Sequence, residues 1–91
     1  MGLRQEFGFK FDSLEDVRSL LRGLTAIASL DERAPEFFVF TQRTGEPGFT
    51  FDCELTSRGI ISERAGEYFE FLGCFVEALT GRFGVVAVED A

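Results

Sequence analysis

The chain has 91 residues, a formal net charge of −7 and 45% apolar side chains, with twelve phenylalanines and no histidine or tryptophan. This length accommodates one hydrophobic core, so we expect a single α+β domain over residues 1–91. Without histidine, Ser-His-Asp and Cys-His nucleophile systems are excluded, and the commonest metal ligand is missing. We therefore expect no enzyme, no catalytic residues, no cofactor and no metal site.

Charge and hydropathy exclude further classes. Lys10 is the only lysine, and a chain with this acidic excess is a poor ligand for nucleic acid or for an anionic membrane surface. No apolar run approaches the roughly 18 residues that a membrane span needs. Met1 to Lys10 alternates apolar and polar residues and has no signal-peptide stretch, so we expect a cytoplasmic protein. Cys53 and Cys74 are expected to be small buried or half-buried side chains, and a disulfide between them stays open.

The first half of the chain predicts a strand, a helix and a second strand. Gln5 to Phe11 alternates, with its phenylalanines on one side, which is typical of a half-buried strand. Ser13, with Asp16 three residues later, predicts a helix N-cap. Apolar residues at helical spacing then predict a helix that ends near Leu30, before Pro35. Glu36 to Arg43 is rich in aromatic residues and predicts the second strand.

The second half predicts a hairpin, a helix and a final strand. Thr44 to Gly48 has the composition of a turn, and the alternation from Phe49 to Thr56 predicts a third strand paired with the second. Ser57 to Arg64 is expected to be a connection or, alternatively, an extension of that strand. A helix is predicted from about Ala65 to Arg82, followed by a short strand from Val85 to Val88 and an acidic tail.

The resulting order, β-α-β-β-α-β, resembles the ferredoxin-like arrangement. The resemblance implies a two-layer sandwich, in which a four-stranded antiparallel sheet carries two helices on one face. The first and third strands would then be central, with Glu6, Lys10, Thr50, Asp52 and Glu54 facing outward and Lys10 able to pair with Asp52 or Glu54. Such an acidic face repels phosphate and argues against RNA binding.

Apolar residues in excess of this core suggest an interaction surface. In that arrangement the second strand lies at an edge, yet Phe37 to Phe40 is apolar on both faces, and exposed apolar edges promote association. We favour self-association as a homodimer over coverage of the edge by a loop or by the tail. The predicted interaction residues are Phe37, Phe38, Val39, Phe40, Phe71, Asp52 and Glu54.

Three functional hypotheses follow. The favoured one is a non-enzymatic, acidic protein-interaction domain, homodimeric, that masks a basic partner in the manner of a small inhibitor or immunity protein. The alternative starts from the element order, which also resembles ligand-sensing regulatory modules of the ACT type. That resemblance implies a small molecule near the Phe11–Leu14 turn, with Gly8 and Ser13 in contact with it. A carboxylate-based enzyme using Asp52 or Glu54 is the least favoured reading.

Overall fold

The computed structural model describes residues 3–42 and 48–91. The predicted turn at Thr44–Gly48 lies outside these ranges except for Gly48. Within them the chain forms six strands, two α-helices and a short 3₁₀ turn at Leu24–Ala26. In chain order the elements are β1 (Leu3–Gly8), α1 (Leu14–Gly23), β2 (Ser29–Ala34), β3 (Phe37–Thr41), β4 (Phe49–Thr56), β5 (Gly59–Gly66), α2 (Phe69–Phe83) and β6 (Ala87–Asp90).

The strands form one six-stranded sheet in the order β2-β3-β4-β5-β1-β6, with every neighbouring pair antiparallel. The α+β class is therefore confirmed, but the predicted four-stranded, ferredoxin-like topology is wrong. The first strand does not pair with the third predicted strand, Phe49–Thr56; it lies between β5 and β6 instead. The β3–β4 hairpin is confirmed by the register that places Phe40 opposite Phe51.

Two strands that the sequence analysis missed account for the difference. The first helix stops at Gly23 instead of near Leu30, and after the 3₁₀ turn the chain forms β2, a strand that was not predicted. β5 replaces the predicted connection and the first residues of the second helix. Because β2 pairs with the outer side of β3, the prediction that Phe37–Phe40 forms an edge strand is also wrong. The edges are β2 and β6.

Both helices pack on one face of the sheet and share one core with it. Phe75 of α2 contacts Phe7 edge-on at 5.3 Å between ring centroids and Phe51 at 4.8 Å. Phe71, one turn earlier, packs 4.9 Å from Phe40. α1 contributes Val17, Leu20 and Leu21 to the same cluster. Each fully buried side chain of this size stabilises the fold by about 1.5–3 kcal/mol relative to an exposed one, so this layer carries most of the hydrophobic stabilisation.

The start of α1 follows the predicted capping pattern. Ser13 is the N-cap residue, and its hydroxyl accepts a hydrogen bond from the backbone N–H of Asp16 at 3.4 Å. Glu15 and Asp16 place negative charge in the first turn, where the helix dipole stabilises it. The cap fixes the direction of the chain that leaves β1 through Phe9 and Phe11.

Candidate functional site

The face of the sheet opposite the helices carries no helix in residues 3–42 and 48–91, and we call it the open face. Residues opposite one another in an antiparallel pair share a face, so the register fixes what the open face presents. Two of its rows cross the central strands. The first row is Val39, Asp52, Glu63 and Arg4, and the second is Phe37, Glu54, Ile61, Glu6 and Glu89. Carboxylates therefore occupy neighbouring positions on four strands.

Negative charge exceeds positive charge on this surface. Arg4 lies 3.4 Å from Glu63 and 4.0 Å from Glu54, and Arg58 donates to Glu6 at 2.9 Å. Across the described ranges, neither Asp52 nor Glu89 forms an ion pair. Exposed ion pairs stabilise a fold by only about 0.2–1 kcal/mol. A partner that brings its own cations can therefore replace these pairs at little cost.

Asp52 and Glu63 are directly opposite each other on β4 and β5. Partial burial and, second, the charge of Glu63 raise the pKa of the Asp52 carboxyl above its ordinary value, while Arg33 opposes the shift. Like charges in this position destabilise the pair of strands. A lysine or arginine side chain placed between the two carboxylates would pair with both, which would offset their repulsion and the cost of removing Asp52 from water.

The acidic rows also contain apolar side chains. Phe37 and Ile61 are half-buried on the open face, next to Glu54 in the register, and Val39 is only 5% exposed. Partly exposed apolar groups among charges are typical of protein-interaction surfaces, where they provide the buried contact area.

The predicted interaction residues separate into two groups. Phe37, Val39, Asp52 and Glu54 lie together on the open face. Phe38, Phe40 and Phe71 are buried in the core between the sheet and α2, with exposures of 0%, 0% and 4%. Of the predicted residues, only the first group is therefore placed to contact a partner. The apolar run Phe37–Phe40 is explained by a strand that has the core on one side and the partly apolar open face on the other.

The predicted pairing of Lys10 with Asp52 or Glu54 is wrong, because β1 ends at Gly8 and Lys10 lies beyond the sheet. Arg4 occupies the position beside the β5 carboxylate instead. Glu63 and Arg4 are the important residues of the open face that sequence reasoning missed. Ile61, Glu63 and Ala65 share one side of β5, but the other side becomes polar at Ser62 and Arg64, so no alternation revealed the strand or its pairing with Arg4.

A cleft of about 770 Å³ lies at the end of β1, between the β4–β5 turn and the end of α2. Its apolar wall is formed by Phe9, Phe11 and Phe83, with Phe9 and Phe83 stacked 4.7 Å apart. The backbone N–H of Phe9 donates to the carbonyl of Arg58 at 3.1 Å, which holds this segment against the turn. The polar lining consists of Lys10, Asp12, Asp16, Ser57 and Arg82.

Both cysteines are free thiols: Cys53 is buried and Cys74 is exposed. Burial, assisted by the negative charge of Asp52, raises the pKa of the Cys53 thiol well above its ordinary value. Among the described residues, no group of three or more histidine, cysteine or acidic side chains is placed to hold a metal ion. None of the described helices has the length and apolar character needed to cross a membrane.

Comparison with protein-family models, with curated proteins and with solved structures finds no match for this chain.

Proposed function

We propose that this chain is a non-enzymatic interaction domain whose open face binds a basic surface of another protein. The observation that carries the proposal is the group of neighbouring carboxylates on the open face, with Asp52 and Glu54 on β4, Glu63 on β5 and Glu6 on β1. Charge complementarity selects the partner: a surface rich in lysine and arginine gains from these carboxylates, and an acidic surface is repelled.

The raised pKa of Asp52 supports this reading. The free protein keeps two carboxylates opposed at some cost to its own stability. Arrangements that weaken the isolated fold are expected where a partner makes use of them. The half-buried Phe37 and Ile61 beside Glu54 supply apolar contact area for the same partner.

Self-association remains a separate prediction. Stacking two open faces would bring like charges together, so a homodimer would have to form elsewhere, and the free edge of β6 is one candidate. Light scattering at high protein concentration tests it: a monomer removes the homodimer and leaves the basic partner unaffected. The ACT-like alternative, with a small molecule near the Phe11–Leu14 turn, stays an untested prediction, and the chain does not form the element order from which that resemblance was drawn.

The proposal is tested with octalysine as a minimal basic probe. NMR titration at low salt should shift the amide signals of β4 and β5 on the open face, and the shifts should weaken as the salt concentration rises from about 0.05 to 0.2 M. The triple variant Asp52→Asn, Glu54→Gln, Glu63→Gln should lose the response. The matched control, called the helical-layer control, removes the same charge from α2 and the segment just before it, by Glu67→Gln, Glu70→Gln, Glu77→Gln, and should retain the response.

Capture from the native cell then tests the biological partner. A basic protein retained by the wild type and by the helical-layer control, but not by the open-face variant, supports the proposal. If the two variants lose octalysine binding equally, the attraction is a property of net charge alone and the proposal fails.

A further inference from the structure

The cleft at the end of β1 is separate from the open face and has a different charge pattern. Lys10 and Arg82 provide positive charge, and Asp12 and Asp16 provide negative charge around the same opening. In a chain with net charge −7, this is a local balance of the two signs. A ligand that carries one charge of each sign therefore suits it better than an anion or a cation.

The charged groups of the cleft are largely available. Lys10 is exposed and has no ion pair or hydrogen bond with any residue in 3–42 or 48–91, and the same holds for the Asp12 carboxylate. Arg82 and Asp16 are only loosely paired, with 4.0 Å between Nη2 and Oδ1. Ser57 adds an exposed hydroxyl at the rim. Both signs of charge can thus be offered to a ligand without breaking a buried ion pair.

The aromatic wall defines the remainder of the ligand. Phe9 is stacked on Phe83 at 4.7 Å and lies 5.6 Å from Phe11, while Phe11 and Phe83 are each half-buried. The guanidinium of Arg82 lies 6.0 Å from the Phe83 ring, which places positive charge beside the apolar surface. The lining is more polar than apolar, so the cleft suits a small ligand that has one apolar part beside its charged groups.

We propose that this cleft binds a free α-amino acid with an apolar side chain. The ligand's carboxylate pairs with Lys10 and Arg82, its ammonium group pairs with Asp12, and its side chain packs on Phe9, Phe11 and Phe83. The site is independent of the open face, so either proposal can fail without the other.

The test uses L-phenylalanine and L-leucine as probes, and their binding is measured by calorimetry and by thermal unfolding. At ten times the dissociation constant, binding should raise the melting temperature by about 5–10 °C. Two analogues separate the charges: 3-phenylpropionate lacks the ammonium group and 2-phenylethylamine lacks the carboxylate. Each analogue should bind the cleft at least about tenfold more weakly than L-phenylalanine does, since each leaves a charged group of the cleft unpaired.

Variants place the site. Lys10→Gln should weaken the binding of L-phenylalanine at least about tenfold and leave the binding of 2-phenylethylamine unchanged. Asp12→Asn should also weaken the binding of L-phenylalanine at least about tenfold and leave the binding of 3-phenylpropionate unchanged. Arg33→Gln, an exposed arginine on the far edge strand β2, is the matched control and should change nothing. The proposal is overturned if neither amino acid binds saturably, if an analogue binds as tightly as L-phenylalanine, or if Lys10→Gln and Asp12→Asn both leave binding intact.

Discussion

The guanidinium carbon of Arg64 lies 5.0 Å from the centre of the Tyr68 ring, inside the core layer of the sheet. The rings of Phe7 and Phe51 lie 5.8 Å from the same carbon, and Arg64 is only 4% exposed. Its hydrogen bonds go to neutral groups, from Nη2 to Gln5 Oε1 and from Nη1 to Ser62 Oγ. Nε is buried without a partner among the described residues. Arg64 is thus a buried charge held by aromatic faces instead of by a carboxylate.

Replacement of this charge by an apolar side chain of similar length is expected to be harmless or stabilising. Arg64→Met should keep or raise the free energy of unfolding, by up to about 2 kcal/mol, because it fills the same space and no longer buries an unpaired charge. Arg64→Ala should lower it by about 2–4 kcal/mol, because it leaves a cavity among the rings. Urea unfolding measures both.

Arg33→Met is the matched control, since Arg33 is an exposed arginine on β2, and its effect should stay within about 0.5 kcal/mol. A loss in Arg64→Met as large as the loss in Arg64→Ala would contradict this account. It would show that the cation–aromatic contacts outweigh the cost of burying the charge.

Arg64 also explains why β5 was missed in the sequence. Its core-facing positions read Ile60, Ser62 and Arg64, so the buried side of the strand becomes polar after its first residue. An alternation of apolar and polar residues is what identifies a half-buried strand, and β5 lacks it. β2 was missed for a related reason: it is a mostly exposed edge strand with three consecutive charged residues, and it is held by its backbone pairing with β3.

What the sequence did predict was the part with clear periodicity. The alternation of β4 and its pairing with β3 were correct, and Ser13 caps α1 as expected. The rest depended on pairing between distant segments, which local pattern does not encode. Because β5 was not predicted, β1 was placed beside β4, whereas its neighbours are β5 and β6. The open face could therefore be assigned only in part, through Glu6 on β1 and Asp52 and Glu54 on β4, without Glu63 and Arg4.

Gly59 at the β4–β5 turn should not tolerate any side chain. Its φ is +145°, and a Cβ at this position would overlap the carbonyl oxygen of Phe7 on the neighbouring strand. Gly59→Ala should therefore lower the free energy of unfolding by at least about 2 kcal/mol. Thermal and urea unfolding provide the measurement.

Gly73 provides the matched comparison. It is an exposed residue within α2, and a Cβ there would meet no atom within 4 Å. Gly73→Ala should raise the free energy of unfolding by about 0.5–1 kcal/mol, because alanine restricts the unfolded chain and favours helix. If Gly59→Ala and Gly73→Ala changed the free energy of unfolding alike, the β4–β5 turn would not approach β1 as closely as described.

The two thiols should differ sharply in reactivity. Cys74 is exposed, whereas Cys53 is buried and has its pKa raised well above the ordinary value. Because the thiolate is the reactive form, a thiol reagent should label Cys74 at once in the native protein and Cys53 only after unfolding. In Cys74→Ser the native protein should remain unlabelled until urea is added. Rapid labelling of native Cys74→Ser would contradict the buried position of Cys53 on β4.

Asp52→Asn should make the fold more stable and its open face less able to bind cations. The folded-state pKa of Asp52 lies above the unfolded value, so ionised Asp52 opposes folding at neutral pH. Near pH 7 the variant should gain up to about 1 kcal/mol in urea unfolding, and the gain should vanish near pH 3, where Asp52 of the wild type is protonated in both states.

Glu54→Gln, on the exposed neighbouring position of the same strand face, is the control, and its effect on the free energy of unfolding should stay within about 0.5 kcal/mol. The same Asp52→Asn protein should bind octalysine more weakly than the wild type. A gain in stability together with a loss of binding is the signature expected if the Asp52–Glu63 repulsion is kept for a basic partner. A variant that became more stable and bound octalysine as tightly as before would show that this repulsion has no part in binding.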